Sequence, residues 1–192
     1  MAIQIYTDGS ASKNRSGWGV VIVKDGNALC FNGTDFEATN QRMELTAAVK
    51  GLEWLFASSI REEDEDIIVY TDSAYLYNCY VDKWWVNWIN NGWKNSKKEP
   101  VANQDLWEKL IPYFEQSIIT FEKVKAHSGH VYNEWADKLA TGVYPSDYVD
   151  LTINEKDDKI NIELSEILLD FQMKKYPVNE IIKRIRKACG CE

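Results

Sequence analysis

Asp8 follows the segment I-Q-I-Y-T (residues 3–7) and Asp72 follows I-I-V-Y-T (residues 67–71), so two aspartates share one local design. In each case a short alternating strand runs into Thr-Asp. A carboxylate at a strand end with a small residue behind it is a place where a ligand or another backbone can approach. Taken alone, Asp8-Gly9-Ser10 reads as a turn and nothing more. The acids further along the chain reverse that reading. Glu44 and Asp137 lie in segments of helical periodicity, each expected near the start of its helix. Open α/β sheets gather ligands at the carboxyl edge of their strands, where the two aspartates would stand and the helix-borne acids would lean. Four carboxylates meeting there repel one another unless a cation neutralises them. Hard oxygen donors of this kind suit Mg²⁺ or Mn²⁺. Carboxylate sites holding two such ions catalyse in-line displacement at phosphorus. A glycosidase is the rival use of acids, but it needs only two and works without metal.

The elements that would hold these side chains follow from pattern and punctuation. Residues 11–16 read as a polar loop, and residues 18–23 and 28–33 as strands joined at Asp25-Gly26-Asn27, a strong hairpin signal. Thr39 or Asn40 would cap a helix whose apolar residues Met43, Leu45, Ala48, Leu52 and Leu55 keep a 3.6-residue period. Strand, helix, strand implies a right-handed crossover with parallel pairing, which sets Asp8 and Asp72 side by side. Residues 74–90 read as one helix and 93–100 as a polar, lysine-containing loop. Asn103 would cap a helix over 104–114, residues 118–125 read as a strand, and Asn133 would cap a last helix carrying Trp135, Leu139 and Ala140. From Pro145 the character changes. Residues 151–164 suggest a small hairpin, and 165–173 and 178–188 two short amphipathic helices separated at Pro177. The expectation is an α/β domain over residues 1–144 and a C-terminal extension over 145–192.

Composition narrows the class. With 192 residues, 45% apolar and 27% charged, the chain has enough apolar sequence for one well-filled domain. No apolar run approaches the length needed to span a bilayer, and a strand begins almost at Met1, so no membrane contact and a cytoplasmic location are expected. Cys30 and Cys79 read as buried thiols, and Cys189 and Cys191 lack the further ligands that a zinc site needs. A net charge of −8 argues against nucleic acid when taken globally, though local lysines or bound cations can reverse the field at one site.

Several motifs then fall in collinear order over roughly residues 1–142. T-D-G-S from Thr7, N-Q-R-M-E-L from Asn40, T-D-S from Thr71, V-K-A-H-S-G-H from Val124 and N-E-W-A-D-K-L-A from Asn133 resemble type 1 ribonuclease H. The stretch from Gly92 to Trp107 resembles the protruding handle of its bacterial members. The resemblance implies a ribonuclease H-like fold, a mixed five-stranded sheet flanked by helices, here with a small C-terminal appendage. It also implies endonucleolytic cleavage of the RNA strand of RNA–DNA hybrids, leaving 3′-hydroxyl and 5′-phosphate ends. On that pattern Asp8 would bridge two Mg²⁺ ions, with Mn²⁺ a possible substitute. Asp137 would hold the ion that activates water, and Glu44 with Asp72 the ion that stabilises the leaving oxygen. His127 matches a loop histidine that assists proton transfer or product release, and Glu134 an acid that modulates release. Gly9, Ser10, Asn14, Asn40, Gln41 and Asn103 match hybrid-contacting positions, with 2′-hydroxyls sensed through backbone near Gly9 and Gln41. Trp84, Lys94, Lys97 and Lys98 would meet the hybrid from the handle, while Trp84, Trp88 and Trp93 also knit the handle helix to its loop.

The chain departs from the pattern in three places. The loop after Asn14 is short and lacks a Gly-Pro-rich stretch, Ala74 stands where a glutamine is common, and Ile89-Asn90-Asn91 replaces a frequent basic triplet. Each lost phosphate partner should flatten the salt dependence of binding. The C-terminal extension lies outside the resemblance. Lys183, Arg184, Arg186 and Lys187 could track phosphates, and Leu164, Ile167, Leu168 and Phe171 need a surface, so a protein or nucleic-acid partner is open there. The catalytic domain is expected to act as a monomer. A non-catalytic hybrid-binding module and a strand-transfer enzyme on the same fold are the competing readings. The complete set of four acids disfavours the first, and the match around Gln41, His127 and the handle disfavours the second.

Overall fold

The computed structural model describes residues 2–36, 38–58, 60–125 and 129–143. His127, Cys189, Cys191 and the expected hairpin and helices of the C-terminal extension lie outside the described residues. Five strands form one sheet in the order β3-β2-β1-β4-β5. They are β1 (Ile3–Ser12), β2 (Arg15–Lys24), β3 (Asn27–Asp35), β4 (Ile67–Thr71) and β5 (Ile119–Lys123). β1, β2 and β3 pair antiparallel through tight hairpins, while β4 pairs parallel with both β1 and β5. The sheet is therefore mixed, as expected. The register Thr7↔Thr71 sets the carboxyl ends of β1 and β4 level.

α1 (Asn40–Ala57) makes the crossover between β3 and β4. Its N-cap is Thr39, whose hydroxyl accepts from the Arg42 N–H at 3.2 Å. α1, α2 (Ala74–Asp82) and α4 (Gln104–Phe114) cover one face of the sheet, and α5 (Val131–Thr141) crosses the other over β1 and β2. The main core lies on the α1 side and includes Ile5, Val20, Leu45, Leu52, Val69 and Trp107. A smaller cluster under α5 joins Tyr6, Val21, Val23 and Cys30 to Ala136 and Leu139. Cys30 and Cys79 are buried as expected, and burial pushes both thiols up to about 12.

Several local expectations are corrected. Asp8-Gly9-Ser10 is not a turn: β1 continues through Ser12, because β2 supplies it with partners in register as far as Ser12↔Arg15. The loop expected over 11–16 shrinks accordingly to a turn at Lys13-Asn14. The single helix expected over 74–90 is two, α2 and α3 (Trp84–Asn90), separated by Lys83 in the left-handed region at φ 51°. That break turns Trp85 and Trp88 into the core around Trp107. Asn103 precedes α4 in a left-handed conformation with no side-chain cap bond. Its side chain accepts instead from Arg42 Nη1 at 3.3 Å. Asn133 is not a cap but an interior residue of α5, which starts two residues earlier after His130. Asp137 thus lies mid-helix, and Glu44 lies beyond the first turn of α1.

Candidate active site

The four acids meet despite these shifts. Asp8, Glu44, Asp72 and Asp137 line one cleft of about 270 Å³ at the carboxyl edge of the sheet. β1 and β4 bring Asp8 and Asp72 as neighbours, α1 brings Glu44 and α5 brings Asp137. Gly9 explains how α1 comes so near. A Cβ at this position would collide with the backbone of Met43 and Glu44, so only glycine lets helix and strand touch there. Arg42 then pins α1 to α4 through a bidentate pair with Asp105 at 3.1 and 2.8 Å.

The electrostatics are those of a crowded, partly buried group of acids. Burial, then the nearby Asp72, Asp137 and Glu44 carboxylates, push Asp8 up to about 8, although the Gly9 N–H donates to its Oδ1 at 2.7 Å. Burial also raises Glu44, with Asp72 adding to the effect and a hydrogen bond from the Ser73 hydroxyl opposing it. Ser73 thereby serves twice, since its oxygen also accepts from the Leu76 N–H as the N-cap of α2. Among the described residues no His, Cys, Asp and Glu side chains are drawn into a closed metal-binding group.

The residues present fit a hydrated divalent cation. Every side chain of the acid set offers oxygen, the donor that Mg²⁺ and Mn²⁺ prefer. Asn133, 3% exposed, lines the same cleft, and its Oδ1 is buried with no hydrogen-bond partner. A buried acceptor without a donor is uncommon and calls for a ligand or an ordered water. Asn133 and Ser73 are the two site residues that sequence reasoning missed. Asn133 stands four residues before Asp137, the spacing that puts two side chains on one helical face, and this was the available signal.

The expected contact residues divide. Gly9, Ser10, Asn40 and Glu134 line the acidic cleft. Asn40 is held there because its Oδ1 accepts from the Ala11 N–H at 2.5 Å, and Gln41 lines an adjoining hollow with Asn40 and Lys13. Asn14 is exposed at the hairpin tip and lines neither. Trp84 and Lys94 line a separate cavity of about 770 Å³ between α3 and the handle loop. Lys97 and Lys98 are exposed on that loop, outside the cavity. Trp88 packs against Trp84 and Trp93 at 6.3 Å each, which ties α3 to the loop as expected.

A family model described as RNase H matches residues 1–144. The ribonuclease H of Syntrophomonas wolfei is 45% identical over 146 residues, covering 75% of this chain and 97% of that protein. The crystal structure of LC9-RNase H1, at 23% identity, shares the fold with a TM-score of 0.61 over 73% of this chain and 70% of that one. A foamy viral protease-reverse transcriptase, solved in complex with RNA/DNA hybrid, matches with a TM-score of 0.58 and 25% identity over 73% of this chain and 19% of that one. With the sequence match running almost the full length of the relative and the sheet order of the fold in place, the chain belongs to the RNase H family and shares its enzyme class, ribonuclease H.

Proposed function

We propose that this ribonuclease H cuts the RNA strand of RNA–DNA hybrids endonucleolytically with two divalent cations, leaving 3′-hydroxyl and 5′-phosphate ends. The observation that carries the reading is the convergence of Asp8, Glu44, Asp72 and Asp137 on one cleft. The hybrid bound by the foamy viral relative supports the substrate class. Asp8 would hold both ions, Asp137 one of them, and Glu44 with Asp72 the other. Bound Mg²⁺ would supply the charge that activates the attacking water and stabilises the departing 3′ oxygen.

The chain's own groups do the rest. Ser73 orients Glu44, and the Gly9 N–H orients Asp8. Asn133 and Glu134 complete the wall of the cleft beside Asp137. Gly9, Ser10, Asn40 and Gln41 would meet the RNA strand, where 2′-hydroxyls distinguish it from DNA. Trp84, Lys94, Lys97 and Lys98 would meet the other strand, with Asn14 and Asn103 as flanking contacts. His127 would move a proton or assist product release.

The test is a cleavage assay on labelled RNA–DNA hybrid, double-stranded RNA and double-stranded DNA, with and without Mg²⁺. Cleavage of the hybrid RNA strand alone, and only with the cation present, is the expected result. Comparable cutting of either homoduplex, or hybrid cleavage in a chelator, would sink the proposal.

A further inference from the structure

One transverse row of the sheet joins three residues of different kinds. Asp8 on β1 pairs with Gly19 on β2, and Gly19 pairs with Asn32 on β3. α5 lies over this row. A Cβ at Gly19 would collide with the Ala136 carbonyl oxygen, and one at Gly17 would lie 2.5 Å from that of Ala140, so the helix backbone rests directly on β2. A smooth contact of that sort sets the distance between helix and sheet. It does not by itself set where the helix stops along its axis.

Two side chains supply the stop. Asn32, 3% exposed, donates from Nδ2 to the Leu139 carbonyl at 3.0 Å. Arg15, at the start of β2, donates from Nη1 to the Thr141 carbonyl at 2.8 Å. Both acceptors belong to the last turn of α5, whose carbonyls have no partner further along the helix. The Gly142 and Val143 N–H groups close the same end, on Leu139 and Lys138. The Asn32 and Arg15 bonds tie it to the sheet by side chains, from two different strands.

We infer that Asn32, assisted by Arg15, is a positioning residue for the reaction: it fixes the axial register of α5 on the sheet and so the place of Asp137 in the cleft. The inference rests on the proposed role of Asp137 as a metal ligand. Asp137 lies two residues before Leu139, so the clamp and the carboxylate move as one rigid piece of helix. A slip of one residue displaces the helix by about 1.5 Å. Misplacing a reacting or ligating group by about 1 Å costs on the order of 100-fold in rate.

The decisive variants are Asn32→Leu, which keeps the size and loses the donor, with Arg15→Ala and Arg15→Lys as a second pair. The readouts are kcat and KM on a labelled hybrid, calorimetric titration of the substrate-free protein with Mg²⁺ alone, and the rise in Tm that Mg²⁺ produces. For Asn32→Leu we expect kcat to fall by about 10- to 100-fold with KM for the hybrid unchanged. Mg²⁺ binding should weaken several-fold, and the Mg²⁺-induced rise in Tm should shrink. Arg15→Ala should move the same quantities less, and Arg15→Lys, which keeps a cationic donor, should recover them. Variants that lose metal-free Tm but keep wild-type kcat and Mg²⁺ affinity would reduce both bonds to plain structural ties and overturn the inference. If Asn32→Leu does not fold, the Arg15 pair decides alone. Asp137→Asn separates the two ideas. Activity in that variant removes the proposed ligand role, whereas an inactive Asp137→Asn beside a fully active Asn32→Leu removes only the clamp.

Discussion

Asp8 carries an energetic cost in the metal-free protein. Its carboxyl is pushed up to about 8 by burial and by three neighbouring acids, whereas in an unfolded chain it ionises near 4. Between those values the folded state holds a proton that the unfolded state has released. Stability of the metal-free protein therefore falls as pH rises from about 4 to about 8 and levels off above. Asp8→Asn removes that loss. Urea melts in chelator should show the variant gaining on the wild type by about 1–2 kcal/mol between pH 5 and pH 8.5, less than the full shift converts to because water in the cleft screens the charge. The same variant should lose hybrid cleavage while still binding hybrid in Ca²⁺. A stability difference that ignores pH, or cleavage near the wild-type rate, would remove Asp8 from the centre of the site.

At the scale of elements, the handle and the site helices differ in how readily the sequence reveals them. β4 and the Thr39 cap are legible because pattern, punctuation and packing agree there, and α4 because its apolar period agrees with its packing although Asn103 does not cap it. Asp8-Gly9 reads falsely as a turn because Gly and Ser are local signals, while the partner that keeps β1 extended comes from β2. The break at Lys83 has no local mark at all. It exists because Trp85 and Trp88 must swing into the core beside Trp107, a tertiary demand. The four acids are all legible, but Asn133 is not, since an Asn ahead of a helical run looks like a cap until the true helix start is known. The handle carries its own prediction. Lys94 is exposed and lines the α3 cavity. Lys94→Ala should leave kcat unchanged and reduce the log-log salt slope of hybrid binding by about 0.9. An unchanged slope would mean that this lysine meets no phosphate.

For the whole molecule, a net charge of −8 leaves attraction to a polyanion to local groups, on the proposed reading the handle lysines and the cations that the cleft would hold. Among the described residues every buried apolar side chain precedes Gly142, and both faces of the sheet find apolar cover within that span. No helix among the described residues is long and apolar enough to cross a membrane. Deleting residues 145–192 should leave a folded enzyme with near-wild-type hybrid cleavage, measured by circular dichroism and the cleavage assay. An insoluble or inactive product would show that the extension is part of the catalytic unit.

The parallel pairing of β1 with β4 also bears on the order in which this protein comes into being. Thr7 and Thr71 become neighbours only after the hairpins and α1 between them have been made. Pairing across so long a loop is slow compared with forming a helix or a hairpin. The last of the four acids, Asp137, leaves the ribosome after all five strands. A nascent chain therefore carries at most three of its carboxylates until synthesis of the domain is nearly over. On the proposed role of Asp137, cutting power is expected to arrive only together with the completed fold.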